Sequence, residues 1–123
     1  MKRPTYKELH NKINDARHAV NQGWVNVINP EAVASDAFQL GYLLEELEPT
    51  LHSLLDDIQP AHYVGRRPPS QSYENKIMDS ELFAFRASSR RFGCKVYLKF
   101  TLYDQFFWLV SLHKNRNNTG KKR

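Results

Sequence analysis

Hydrophobic residues recur at helical spacing over the first part of the chain. Thr5 and Glu8 fit a capping box, in which each side chain accepts a hydrogen bond from the backbone of the other residue. The pattern predicts an amphipathic helix that ends at Gly23, followed by a short apolar connector at residues 24–28. The apolar positions of this helix are Tyr6, Leu9, Ile13, Ala16 and Val20.

A second helix is predicted to start at Asn29. An N-cap residue, a proline at the first helical position and an acidic residue in the first turn follow one another there. Its apolar face extends toward Pro49, which we expect to break or kink the helix. A further turn or two is predicted at residues 51–58. The shared apolar face carries Ala37, Leu40, Leu44 and Leu47.

After residue 60 the hydrophobic period becomes two residues. Prolines and small polar residues predict a loop at residues 65–72. Three short strands are predicted after it, at residues 81–87, 94–102 and 106–113. Helices in the first half and strands in the second are typical of an α+β domain. In such a domain N-terminal helices pack on one face of a C-terminal antiparallel sheet.

Composition indicates one small folded domain. The chain has 123 residues, of which 41% are hydrophobic and 25% are charged. We divide it into a mainly helical part at 1–60, a loop and sheet at 61–113 and a flexible basic tail at 114–123. Cys94 is the single cysteine, which excludes an internal disulfide. Because no apolar run is long enough to span a membrane and no signal peptide is recognisable, we expect a cytoplasmic protein without a membrane partner.

The net charge of +5 conceals an asymmetry between the two halves. Residues 1–60 carry five Lys or Arg against nine Asp or Glu, net −4, whereas residues 61–123 carry thirteen against four, net +9. A basic half of this size suggests that a polyanion binds there. The alternative is a solvated basic surface without a ligand.

Alternation assigns side chains to the two faces of the predicted sheet. A symmetric three-residue turn at residues 103–105 places Leu102 opposite Phe106, which puts Phe106, Trp108, Val110 and Leu112 on the core face. A turn at residues 88–93 places Arg86 beside Lys95. The other face is then expected to carry one cross-strand row of Arg86, Lys95 and His113, with Tyr97 and Ser111 in the next row.

Such a row suggests phosphate chemistry, because adjacent cations repel one another unless an anion lies over them. His113 is predicted to act as the general acid or base, since histidine exchanges protons near neutral pH. Tyr97 is predicted to orient a ribose or phosphate, to stack on a base or to share a proton. Arg86, Lys95 and Arg66 are predicted to stabilise charge on the phosphate. The alternative is an exposed sheet face that serves solubility.

Further residues are predicted to bind RNA around this row. Arg67 joins Arg66 in a proline-stiffened loop that presents guanidinium groups at little entropic cost. No metal site and no cofactor is predicted, because the sequence contains no zinc motif and no glycine-rich phosphate loop. The remaining predicted RNA-binding residues are Lys99, Ser111, Arg90, Arg91, Lys114 and Arg116.

The predicted hairpin resembles part of a known family. Residues 95–101 (Lys-Val-Tyr-Leu-Lys-Phe-Thr) and 109–113 (Leu-Val-Ser-Leu-His) are similar to the C-terminal hairpin of the MqsR-type toxins of bacterial toxin-antitoxin systems. Weaker counterparts occur in order at residues 21–25, 40–41 and 81–85 and at Tyr63. The resemblance implies a RelE-like fold and a metal-independent ribonuclease. That enzyme cleaves messenger RNA through the RNA's own 2′-hydroxyl and is held inactive by a cognate antitoxin.

The resemblance also implies roles for individual residues. Tyr97 matches a tyrosine implicated in the family's activity. His113 stands where those toxins typically carry a functional lysine, and Arg66 or Arg67 falls near another family lysine. Three functions remain open. The first is a ribonuclease toxin acting on messenger RNA, free or on the ribosome. The second is a non-enzymatic nucleic-acid-binding protein that uses the same face, and the third is an interaction module whose acidic helices dock a partner protein.

Overall fold

The computed structural model describes residues 2–115 and shows helices and a mixed four-stranded sheet. The sheet order is β1-β4-β3-β2, with β1 parallel to β4 and the other pairs antiparallel. The predicted α+β class is therefore confirmed. In chain order the elements are α1 (Tyr6–Asn21), β1 (Val25–Val27), α2 (Pro30–Leu40), α3 (Leu47–Asp57), β2 (Phe83–Ser89), β3 (Cys94–Tyr103) and β4 (Phe106–Lys114).

The first helix forms largely as its sequence predicts. Thr5 Oγ1 accepts a hydrogen bond from the backbone N–H of Glu8 at 3.1 Å and caps the helix. Gly23, with φ of +77°, follows its last turn. Tyr6 was predicted to face the core but is 71% exposed, because the buried stripe begins one turn later. The buried residues are Leu9, Ile13, Ala16, Ala19 and Val20.

The predicted connector at residues 24–28 contains an edge strand, β1. The backbone N–H of Phe107 donates to the carbonyl of Trp24 at 2.9 Å, and the N–H of Ile28 donates to the carbonyl of Leu109 at 3.0 Å. Because β1 runs parallel to β4, the expectation of a wholly antiparallel sheet is wrong. A strand of three residues is too short for its alternation to be recognised in the sequence.

The helix predicted to extend toward Pro49 is two helices. α2 ends at Leu40 because Gly41 adopts a left-handed conformation, with φ of +92°, and donates its N–H to the carbonyl of Ala37. Pro49 does not break a helix, since it lies in the first turn of α3, where its missing N–H costs no hydrogen bond. The residues predicted to share one helical face therefore belong to two helices and the segment between them. Leu44, in that segment, is 43% exposed.

The helices bury one face of the sheet in a single core. Aromatic rings form its centre, where Phe100 stacks on Phe85 and on Phe107 with centroid separations of 5.9 Å and 4.9 Å. Each such side chain contributes about 1.5–3 kcal/mol through burial. Because this packing fixes the core face, it also fixes which residues reach the outer face, the side of the sheet away from this core. The buried helical side chains of the same core include Leu9, Leu51, Leu54 and Leu55.

The turn between β3 and β4 has two residues, not the three that were predicted. Tyr103 pairs with Phe106, and between them Asp104 and Gln105 both have positive φ, of 54° and 73°. Two left-handed central residues define a type I′ turn, whose twist matches that of the flanking strands. A β-bulge at Lys99/Phe100 then shifts the pairing by one more residue.

These two shifts change the face assignment of β4. A shift of one residue exchanges the faces of a strand, so Phe107 and Leu109 occupy the core. The predicted core positions of Phe106 and Trp108 are wrong, because both lie on the opposite face from Phe107 and are only partly buried. The extra residue of the bulge is Val110, also only partly buried. Beyond it the original alternation returns, and Leu112 is buried as predicted.

The strands β2 and β3 pair two residues further than predicted. Ser88 pairs with Lys95 and Ser89 with Cys94, which leaves a turn of residues 90–93. Ser89 closes this turn by accepting hydrogen bonds from Gly93 N–H, at 2.8 Å, and from Phe92 N–H, at 3.1 Å. Sequence alternation does not reveal this closure, because the serines look like turn residues.

The left-handed turn predicts a stabilising substitution at Gln105. A residue with a Cβ atom costs roughly 1–2 kcal/mol in the left-handed region, where glycine is unstrained. We expect Gln105→Gly to raise the free energy of unfolding by about 1 kcal/mol in urea denaturation. The control Ser88→Gly lies in extended backbone and is expected to lower that free energy by about 0.5–1 kcal/mol. A loss at both positions would contradict the turn.

Candidate nucleic-acid interface

A cross-strand row on the outer face brings together one residue from each of three strands. Arg86 of β2 pairs with Tyr97 of β3, and Tyr97 pairs with His113 of β4. We call these three residues the central row. Because neighbouring strands lie about 4.8 Å apart, the Cα atoms of Arg86 and His113 lie roughly 10 Å apart on either side of Tyr97.

The composition of this row corrects the sequence prediction. Lys95 was expected between Arg86 and His113, but it pairs with Ser88, two residues along the strand from the central row. Ser111 was expected opposite Tyr97, but it pairs with Lys99. The cause is the two-residue turn, the bulge and the longer pairing of β2 with β3. The structure nevertheless places all of these side chains on the same face of the sheet.

Tyr97 and His113 form a stacked pair. Their ring centroids lie 5.0 Å apart and their planes differ by 19°. His113 Nδ1 lies 2.7 Å from the carbonyl oxygen of Lys114. Because a carbonyl only accepts hydrogen bonds, Nδ1 carries the proton. In the neutral ring Nε2 therefore holds the lone pair and is the nitrogen that accepts a proton from a substrate.

The environment of Tyr97 keeps its phenol protonated. Partial burial raises the pKa of Tyr97 above its ordinary value of 10.0, and the nearby positive charge of Arg86 opposes this rise. Burial has the larger effect, so the phenol is neutral at physiological pH and available as a hydrogen-bond donor. The central row thus combines a cation, a neutral donor and an imidazole.

The cations around the central row form no ion pairs with carboxylates in the described part of the chain. Lys95 and Lys99 flank Tyr97 on β3, each roughly 7 Å away along the strand. Within residues 2–115, no carboxylate forms an ion pair with either lysine, with Arg86 or with Arg66. Their fields therefore add and favour an anion above the sheet.

The segment after Tyr63 covers the β2 side of the outer face. Val64 donates its N–H to the carbonyl of Ala84 at 2.9 Å, and the hydroxyl of Tyr63 donates to the carbonyl of Arg66 at 2.5 Å. These bonds hold the loop so that Arg66 lines the same cleft as Tyr97 and Lys99. Arg66 therefore lies near the central row although it is remote in sequence.

Arg67 has a different position from its neighbour. Its guanidinium donates to the carbonyl of Pro4 at 2.8 Å and lies over the ring of Tyr63, 5.0 Å from the ring centroid. Both loop arginines were predicted to face RNA, but the structure places them in different surroundings. Arg66 lines the cleft, whereas Arg67 joins the loop to the N-terminal segment.

Arg90 and Arg91 lie toward α3 and apart from the central row. Arg90 Nε donates to the carboxylate of Asp57 at 2.8 Å, and Arg91 donates to the hydroxyl of Ser53 at 3.4 Å. Both contacts join the turn between β2 and β3 to the helical layer. The structure therefore does not bring these two predicted RNA-binding residues to the outer face.

Lys114, another predicted RNA-binding residue, is also not part of the row. Lys114 pairs with Val96, a core residue, so its side chain leaves the sheet on the side opposite to that of Tyr97. Arg116 lies outside the described residues, as does the predicted tail from there to residue 123. Lys114 itself belongs to β4, not to a flexible tail.

The sequence prediction missed the apolar part of this face. Ala84 is 4% exposed beneath the loop, and Val64 and Leu82 line the same cleft. Alternation along β2 was the available signal, since it places Ala84 on the same face as Arg86. The contacts of Val64 and Leu82 depend on the course of the loop, which sequence patterns do not specify.

No protein-family model matches the sequence, and no curated protein matches it significantly. Among residues 2–115, no helix combines the length and the apolar character that crossing a bilayer requires. The fold and the face define an α+β protein with a basic outer sheet surface that one loop partly covers.

The contact between Arg86 and Tyr97 predicts a shift in phenol titration. Arg86 favours the ionised phenolate, so Arg86→Ala is expected to raise the pKa of Tyr97 further. Titration of carbon-13-labelled tyrosine by NMR measures this value. Arg90→Ala removes an arginine that faces α3 and is expected to leave it unchanged. A pKa of Tyr97 that stays the same or falls in Arg86→Ala would contradict the pairing.

Proposed function

We propose that the protein is a metal-independent endoribonuclease that cleaves messenger RNA in the cytoplasm, as the toxin of a toxin-antitoxin pair. The observation that carries this proposal is the central row, in which an imidazole with an available Nε2 stacks on a neutral phenol beside an arginine. The resemblance of the hairpin to MqsR-type toxins supports the same chemistry. His113 takes the place of that family's lysine.

The proposed reaction uses the RNA's own nucleophile. His113 Nε2 accepts the proton of the 2′-hydroxyl, and the 2′ oxygen attacks the adjacent phosphorus. The bond from phosphorus to the 5′ oxygen breaks, and the phenol of Tyr97 supplies the proton that the leaving oxygen takes. The products are a 2′,3′-cyclic phosphate and a 5′-hydroxyl. His113 then returns its proton to the phenolate through solvent, which restores both groups.

The cations have separate roles in this proposal. Arg86 lies next to Tyr97 and stabilises the additional negative charge that develops on the phosphate in the transition state. Lys95 and Lys99 bind neighbouring phosphates along β3. Arg66 approaches from the loop side of the cleft. Only Arg86 and the stacked pair contact the reacting atoms in this arrangement.

The proposal predicts cleavage that depends on His113 and not on metal ions. With EDTA present, the purified protein is expected to cleave single-stranded RNA and to leave cyclic phosphate ends. His113→Ala is expected to slow cleavage by a factor of about 10²–10⁴, the usual contribution of general acid-base catalysis. His10→Ala, an exposed change on α1, is the control. Full activity of His113→Ala, or loss of activity in EDTA, would contradict the mechanism.

A non-enzymatic RNA-binding protein would use the same cations, so binding is tested separately. The logarithm of the affinity for single-stranded RNA is expected to fall linearly with the logarithm of salt concentration, with each phosphate contact adding about 0.7 to the slope. Lys95→Ala is expected to reduce the slope by about 0.7, and Arg90→Ala is expected to leave it unchanged. The reverse result would place RNA on the side of α3. Binding without cleavage would favour the non-enzymatic function.

A groove at the edge of the sheet favours a second function, the docking of a protein partner. The groove has a volume of about 410 Å³ between β1 and the start of α3. Val25, Val27 and Leu47 give it apolar walls, and the exposed Glu45 and Glu48 give it an acidic rim. Because β1 is the last strand of the described sheet, its outer backbone groups are open to strand addition. We infer that an extended segment with apolar and basic side chains, from the antitoxin, occupies it.

Charge reversal tests this docking surface. The combined change Glu45→Lys and Glu48→Lys is expected to weaken binding of the protein encoded by the adjacent gene by at least about tenfold, or about 1.4 kcal/mol. Isothermal titration calorimetry measures the affinity. Glu31→Lys changes an exposed acid at the start of α2 and is the matched control. An unchanged affinity in the double variant would exclude this groove as the docking site.

A further inference from the structure

A small cleft lies beside the central row, between the loop and the sheet. Its volume is about 180 Å³, which is below the roughly 300–1,000 Å³ of pockets for drug-sized ligands. Ala84 is nearly buried beneath the loop, and Tyr97 and Lys99 belong to the sheet side of the cleft. On the loop side lie Val64 and Arg66. A single small ring system fits this space better than a chain or an extended peptide.

Contacts within the protein hold the loop wall of the cleft in place. The backbone N–H of Leu82 donates to the carbonyl of Ser70 at 2.8 Å, and the Tyr63 hydroxyl holds the carbonyl of Arg66. Gly65 lies directly against the Tyr63 ring, where an added Cβ atom would come within 2.6 Å of the hydroxyl oxygen. Because these contacts order the wall before binding, a ligand loses little free energy to loop ordering.

The residues that line the cleft match the flat base of a nucleotide and its attached phosphate. Val64 and Leu82 offer apolar surface to the faces of a flat ring, with the buried Ala84 behind them, and Tyr97 adds an aromatic side chain to the lining. Ser70 also lines the cleft, and its hydroxyl can donate or accept a hydrogen bond. The cations Arg66 and Lys99 match the attached phosphate. An acidic peptide would use the cations but would leave Val64 and Leu82 without an apolar partner.

We propose that this cleft binds one nucleobase of single-stranded RNA, next to the phosphate held by the central row. The proposal rests on the proposed function, because it takes the central row as the phosphate site. Tyr97 then belongs to both sites, since it lines the cleft and its ring stacks on that of His113. A base held there fixes which phosphate reaches His113. The cleft would therefore set the sequence preference of cleavage.

Methyl NMR tests the base site without requiring catalysis. Cytidine 5′-monophosphate and adenosine 5′-monophosphate are compared with ribose 5-phosphate, which has the same phosphate and sugar but no base. We expect the two nucleotides to shift the methyl resonances of Val64, Leu82 and Ala84, and ribose 5-phosphate to leave them unchanged. The methyl groups of Val33, in the core on α2, serve as the internal control.

A substitution on the loop wall provides the second measurement. Val64 is 42% exposed, so Val64→Ser removes apolar surface from the cleft without opening the core. We expect it to weaken nucleotide binding by at least about threefold, to leave ribose 5-phosphate binding unchanged and to alter the positions at which RNA is cut. Leu43→Ser changes an exposed leucine in the helical half and is the matched control.

The outcomes separate this proposal from the proposed function. If nucleotides and ribose 5-phosphate shift only the central row and the cleft methyl groups stay unchanged, the base site is wrong while the phosphate site stands. If Val64→Ser leaves both nucleotide affinity and the cutting pattern unchanged, the base site is also wrong. If nucleotides shift the cleft methyl groups but RNA is never cut, the base site stands and the nuclease is wrong.

Discussion

The register of the β3 and β4 hairpin decides which side chains the outer face presents. Two left-handed residues, Asp104 and Gln105, close the hairpin with a two-residue turn, and the bulge at Lys99/Phe100 adds a second shift. Each shift exchanges the faces of β4, so the two together restore the alternation and displace the pairing by two residues. Tyr97 therefore pairs with His113, and because β2 and β3 also pair two residues further than predicted, Tyr97 and not Lys95 lies between Arg86 and His113.

The same architecture separates neutralised charges from charges that remain available. Arg90 is paired with Asp57 of the helical layer, and Arg3 donates two hydrogen bonds to the carboxylate of Glu81, at 2.8 and 2.9 Å. Arg3 also bonds Glu8, and these bonds hold the pKa values of both carboxyl groups below their ordinary range. Such pairs join the acidic and basic halves of the chain. The cations left without a carboxylate in the described part of the chain include those around the central row.

Local signals made the helices predictable, whereas the register needed information that the sequence does not display. The caps at Thr5 and Asn29 act through hydrogen bonds to residues three positions away, so they are visible in sequence. Gly41 was a stop signal that the continuing apolar face concealed. Gln105 is not a typical residue of a type I′ turn, and the bulge has no recognisable sequence marker.

The candidate site was partly predictable for a reason that follows from strand geometry. Both register errors amounted to two residues in the region of the site, so Arg86, Tyr97 and His113 were assigned to the correct face. The prediction that Arg86 and His113 share a row is confirmed, whereas Tyr97 was assigned to the next row and Lys95 to its place. The contacts of Arg67 and Arg90 could not be predicted from the sequence. Their partners, Pro4 and Asp57, are distant in sequence, and net charge does not distinguish a paired arginine from an available one.

The proposed phosphate site and the proposed base cleft lie with His113 on one sheet face, and a bound RNA would show all three together. The most direct measurement is a crystal structure of the protein with a single-stranded RNA whose 2′-oxygens are methylated, which blocks the attack. We expect one phosphate within hydrogen-bond distance of Arg86 and Tyr97, with the adjacent 2′ oxygen facing His113 Nε2. RNA bound beside Arg90 and α3, with the central row still exposed to solvent, would contradict the account.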